Sequence, residues 1–171
     1  MASGDDGHNA RRRADTHSRP LVAYGSFCSN NASKKKMAIL YPEHGSVAII
    51  QPPTPHLHSV PHHLLPADAW SAATAVDLDA DGLDEIVVAK STTAQNGNFA
   101  VLNFTGNCDK GYDPTISFVS AAVGSHWVSL TGVELMSGDK ILVASRTGNE
   151  NQFVLLRSDL SIAATFNNSQ F

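Results

Sequence analysis

Cysteine is scarce: Cys28 and Cys108 are the only two in 171 residues. Two thiols exclude a disulfide framework and leave one bridge or two free thiols as the alternatives. No apolar run approaches the roughly 18 residues that a membrane helix needs, so membrane insertion is not expected. The opening MASGDDGHNARRRADTHSRP has no apolar h-region and is not a secretory signal peptide. An excess of one charge is missing too. The net charge is −4, which gives no electrostatic ground for binding nucleic acid. The basic runs Arg11-Arg12-Arg13 and Lys34-Lys35-Lys36 are short and read as solvated. Also absent are sustained 3.6-residue periodicity with helix caps and the G-x-S-x-G, H-E-x-x-H and P-loop signatures. No catalytic residue is therefore expected.

What is present is a globular composition, 42% apolar, arranged in repeats. WSAATAVDL (70–78) and WVSLTGVEL (127–135) share Trp, Thr, Val and Leu at an offset of 57. EIVVAKS (85–91) matches KILVASR (140–146) at an offset of 55, which would shorten the intervening loop by two residues. PLVAYGS, from Pro20, reads as a third copy of this second segment with its first segment missing. A further apolar run follows in each unit: MAILY, NFAVLNF and QFVLLRS. These runs are short, rich in Val, Ile, Phe and Thr, and bounded by Gly, Asn, Asp, Pro and Ser, which predicts strands.

Four short strands in a unit of about 55 to 66 residues is the arithmetic of a β-propeller blade. EIVVA and KILVA are continuous apolar runs, as strands buried on both faces require. The expected fold is all-β: a propeller-like array of about three four-stranded blades (20–66, 67–123 and 124–171), behind a disordered or poorly ordered segment, 1–19. A β-sandwich is the alternative that such strand spacing allows. Propellers have four to eight blades, and the first copy begins in mid-blade. The expectation is an incomplete propeller, extended by blades of a longer chain or, as the second alternative, closed by an oligomer.

Five acids fall within nine positions ahead of the strand IVVA: Asp77, Asp79, Asp81, Asp84 and Glu85. Asp77, Asp79 and Asp81 stand at positions 1, 3 and 5 of a loop and Gly82 at position 6. Alternate carboxylates converge when such a loop curls, and a hard cation with oxygen ligands neutralises them. An EF-hand is excluded. Its position 12 needs a bidentate Glu and here carries Val88, inside a strand. Glu85, at position 9, can close the loop instead.

D-x-D-x-D-G-x-x-[D/E] ahead of an apolar strand resembles the FG-GAP (VCBS-type) repeat of integrin-like β-propellers. The resemblance covers roughly residues 20–166, and the full loop occurs once. In the last unit it shrinks to ELMSGDK, with Glu134 and Asp139 as its acids, so no ion is expected there. The family's Phe-Gly and Gly-Ala-Pro signatures are absent. The resemblance implies a loop between the first and second strands of a blade that holds Ca2+. Its ligands would be Asp77, Asp79, Asp81, the Leu83 carbonyl and Glu85, with Asp84 outside the set. Propellers of this type serve in adhesion proteins, lectins and accessory domains of secreted enzymes. The implied function is a non-catalytic, calcium-supported module that binds a glycan or protein partner. The alternative is the C-terminal accessory propeller of a larger secreted carbohydrate-active enzyme, such as a glycoside hydrolase. The sequons at Asn31, Asn103 and Asn167 lean the same way, and the expected location is extracellular or the secretory pathway.

Two other features invite a function. PHLHSVPHHLLP carries His56, His58, His62 and His63, but Pro55, Pro61 and Pro66 break it, and a surface loop is expected rather than a metal site. Trp70 and Trp127 could stack on sugars. Their fixed place in the repeat favours packing in the core.

Overall fold

A computed structural model describes residues 19–27, 35–51, 56–59, 65–66, 70–91, 98–104, 115–119, 126–147 and 152–167. The 1–18 segment, both cysteines, Asn31, His62 and His63 lie outside the described residues. Among those described, every regular element is a strand, and twelve strands form three antiparallel four-stranded sheets. Sheet 1 contains β1 (Leu21–Gly25), β2 (Lys36–Tyr41), β3 (Ser46–Gln51) and β4 (His56–Ser59). Sheet 2 contains β5 (Trp70–Val76), β6 (Glu85–Lys90), β7 (Phe99–Asn103) and β8 (Thr115–Val119). Sheet 3 contains β9 (Trp127–Glu134), β10 (Lys140–Arg146), β11 (Gln152–Leu156) and β12 (Ile162–Asn167). Each sheet is an open meander in chain order.

Side chains alternate between the two faces of a strand, and this alternation builds two cores. Ala23, Ala38, Leu40, Val47 and Ile49 of sheet 1 meet Ile86, Val88, Ala100 and Leu102 of sheet 2. The rings of Phe27 and Phe104 join them, 6.0 Å apart. On the other side of sheet 2, Val87, Ala89 and Phe99 meet Trp127, Leu130, Leu142, Ala144, Val154 and Leu156 of sheet 3. Strand β6 is buried along its whole length, which explains its continuous apolar run. Strand β10 buries Leu142 and Ala144 but leaves Ile141 and Val143 half-exposed, because sheet 3 has a sheet on one side.

The first strands of the sheets run side by side, β1 against β5 and β5 against β9. Glycine permits this approach. A Cβ on Gly25 would stand 2.8 Å from Ala75 Cβ, and one on Gly132 2.8 Å from Val76 Cβ. Both tryptophans are core residues, as expected, with Trp70 4% and Trp127 0% exposed. Trp127 packs on Phe99 with ring centroids 5.2 Å apart. Trp70 donates its Nε1 hydrogen to the Pro66 carbonyl at 3.0 Å and carries Lys90 Nζ 4.7 Å above its ring.

Three expectations are corrected. First, Val76 pairs with Glu85, and Val133 pairs with Ile141. Glu85 is thus equivalent to Ile141, so the second strands are offset by 56 (141 less 85), and the loop is one residue shorter, not two. A one-residue slip turns every side chain to the other face. At an offset of 55, Leu142 would take the place of Val87 and point away from sheet 2. Second, LVAYG is the first strand of its sheet, not the second. Gly25 pairs with Lys36 as Val76 pairs with Glu85, so MAILY occupies the place of EIVVAK and sheet 1 has four strands. Third, His56–Ser59 is a strand paired with β3, not a loop. Pro55 and Pro61 flank it without interrupting it, and an edge strand tolerates them.

Candidate functional site

The acidic residues lie in the loop that joins β5 to β6. Three of its carboxylates cap backbone N–H groups of the same loop, and this winds it tightly. Asp79 Oδ1 accepts from the Asp81 N–H at 3.2 Å, Asp81 Oδ1 from Leu83 N–H at 2.8 Å, and Asp77 Oδ2 from Gly82 N–H at 3.2 Å. Such bonds are the usual turn chemistry of Asp. The winding requires positive φ at Ala80 (64°) and at Gly82 (87°). Leu83 then enters the core with 9% exposure. Glu85, the first residue of β6, is 2% exposed, and its Oε2 accepts from the Leu78 N–H at 2.7 Å.

Asp77, Asp79 and Glu85 are brought together by this path. One oxygen of each lies within 4.8 Å of the others. Among the described residues they form the one cluster of three side chains able to share a metal ion. Asp77 Oδ1 is buried there and has no hydrogen-bond partner. The Glu85 carboxyl is raised to about 7: burial is the largest cause, the Leu78 N–H opposes it, and the charges of Asp79, Asp81 and Asp77 add to it. Asp81 belongs to the loop's hydrogen bonding but stands outside the three-carboxylate cluster. The Leu83 side chain is buried and has no donor atom, so its backbone carbonyl is the one group Leu83 could offer a metal.

Asp84 has a different task, and nothing local in the sequence signals it. Its Oδ2 accepts from the Ser26 N–H at 2.6 Å and from Lys35 Nζ at 3.2 Å, and its N–H donates to the Ser26 carbonyl at 2.7 Å. It ties the acidic loop to sheet 1. In sheet 3 the matching turn holds Ser137 Oγ donating to Asp139 Oδ2 at 2.7 Å and Lys140 Nζ donating to Glu134 Oε2 at 2.7 Å. That turn satisfies its own acids.

A cavity of about 210 Å³ opens beside Asp79 and Glu85. Asn103 of β7, Ser117 of β8 and the Ser158–Asp159 turn between β11 and β12 add polar groups to its wall. None of these four stands out in the sequence as a site residue. Asn103 is notable there only as a sequon, and the other three come from segments more than 30 residues beyond the loop. Neither the known protein-family models nor the curated proteins provide a match to this chain.

Proposed function

We propose that the chain is a non-catalytic, calcium-supported β-propeller module, and that it binds a glycan or a protein partner through its edge loops. One observation carries the reading: the convergence of Asp77, Asp79 and Glu85 within 4.8 Å, with Asp77 Oδ1 buried and lacking a hydrogen-bond partner. Carboxylates that close repel unless a proton or cation sits among them. An all-oxygen set on a tightly wound loop suits a hard cation, and calcium accepts six to eight such ligands. Asp77, Asp79 and Glu85 would hold the ion. Asp81 and the Leu83 carbonyl are the other protein ligands that the motif implies.

Calcium would be structural in this reading. It would neutralise the loop that leads into β6, the strand buried in both cores. The stacking of three meanders with their first strands adjacent supports the propeller arrangement. The cavity beside the loop supports ligand binding near it: Leu78, Val101 and Leu160 give it an apolar wall, and the carboxylates, hydroxyls and amide around them suit a small ligand with both an apolar face and hydroxyl groups.

The test is calorimetric titration of the chelated protein with calcium, paired with melting in calcium and in chelator. At a calcium concentration ten times the dissociation constant, the wild type should gain about 1.4 kcal/mol. Asp79→Ala should lose most of that gain. Identical melting in calcium and in chelator would refute the metal site. Glycan-array binding without turnover would support the binding role.

A further inference from the structure

We propose that the outer face of sheet 3 and the outer face of sheet 1 are the two halves of one interface, and that its occupant is a second copy of this chain. The strand registers carry the argument. They show that both seams within the chain are built alike. At each seam one sheet presents a forward face and the next presents a back face. The forward face of sheet 2 contains Thr74, Val87, Val101 and Phe99, and its contacts on the next sheet include Trp127 and the Gly132 N–H, which donates to Thr74 Oγ1 at 3.1 Å.

The same registers place Thr131, Val143, Leu155 and Phe153 at the equivalent positions of sheet 3. Here the face is open: Val143 and Leu155 are half-buried, and Phe153 is 44% exposed. At the other end, the back face of sheet 1 carries Val22, Ile39 and Ala48 in one paired row and Tyr24, Met37 and Ile50 in the next. These rows match Ala73, Val88 and Ala100, and Ala75, Ile86 and Leu102, which pack against sheet 1 within the chain. Val22 and Tyr24 are 52% and 59% exposed. What covers a forward face in this molecule, twice, is a back face of this pattern.

Charge agrees with the match. At the first seam Asp84 receives the Ser26 N–H. At the second, the equivalent positions are Asp77 and Lys140, which are of opposite sign. At the proposed seam the equivalent positions are Glu134 and Lys35, of opposite sign, which within the chain pair with Lys140 and Asp84 and would be shared across the seam. Tyr24 is larger than Ala75 and Gly132 at its position, so the inner ends of these strands would stand further apart than within the chain. Two copies joined this way at both ends make a closed ring of six sheets, within the range of propellers.

The inference shares with the proposed function only the propeller arrangement and does not depend on calcium. Its test is sedimentation equilibrium of the full chain and of the variants Val22→Asp and Phe153→Asp, both exposed positions, with circular dichroism to verify folding. A dimer is expected, and a buried carboxylate at either seam should raise its dissociation constant at least about tenfold. Each variant damages both seams of its own dimer. An equimolar mixture keeps one seam intact and should associate more tightly than either variant alone. A wild-type monomer at every concentration would overturn the proposal, and so would a dimer indifferent to Val22→Asp. A monomer that still takes up calcium would overturn this seam and leave the metal site standing.

Discussion

Glu85→Gln, with calcium removed, isolates the electrostatics of the acidic loop. In the folded protein burial raises the Glu85 carboxyl from 4.5 to about 7, with Asp79, Asp81 and Asp77 adding to the effect. A raised pKa means that the folded state holds a proton which the unfolded state has released. The stabilisation from that proton is present in full below the unfolded value of 4.5 and is lost as pH rises through about 7. A tenfold change in proton affinity corresponds to about 1.4 kcal/mol, so the loss across this window is on the order of 3 kcal/mol. Glutamine keeps the acceptor for the Leu78 N–H and cannot ionise. Urea unfolding in chelator at steps from pH 4.5 to 8 provides the assay. The wild type should lose stability relative to Glu85→Gln as pH rises, and the difference cancels the other titrating groups. Parallel curves for the two proteins would refute the reasoning. Adding calcium should reverse the order at pH 8, because the ion needs the carboxylate that glutamine lacks.

Trp127→Ala should cost about 3 to 5 kcal/mol in denaturant unfolding, as truncation of a fully buried aromatic does. Trp127→Phe should cost much less, since the indole Nε1 is buried without a hydrogen-bond partner and its removal forfeits no bond. Asp84→Ala should cost about 1 to 3 kcal/mol by leaving the buried Ser26 N–H unpaired, and Asp84→Asn should recover part of this in the same assay.

How far the sequence could be read depended on the range of the interaction. The acidic loop was legible because its geometry is local: Asp79 bonds to Asp81, Asp81 to Leu83 and Asp77 to Gly82. The short apolar runs bounded by turn residues and the Trp-x3-Thr-x-Val recurrence pointed to an all-β chain in repeating units, and to Trp70 and Trp127 as core. The same signals could not order the units. An apolar run such as LVAYG fits any strand of a sheet, and only its seat against β5 makes it the first. The histidine segment misled for a related reason. Prolines that flank an edge strand look, in sequence, like prolines that break a loop.

Taken alone, the sequence determined most of the strands, though not His56–Ser59, and the winding of the 77–85 loop, because these rest on backbone preferences and on contacts a few residues apart. Tertiary structure decided the rest. A slip of one residue reverses a strand's faces, so similarity could not distinguish an offset of 55 from one of 56, whereas the burial of Leu142 and Ala144 does. Burial also raises the Glu85 pKa, and packing of sheet 2 on sheet 1 turns Asp84 from an expected non-ligand into the tie between them. Desolvation and contacts across 50 or more residues exist only once the sheets have stacked.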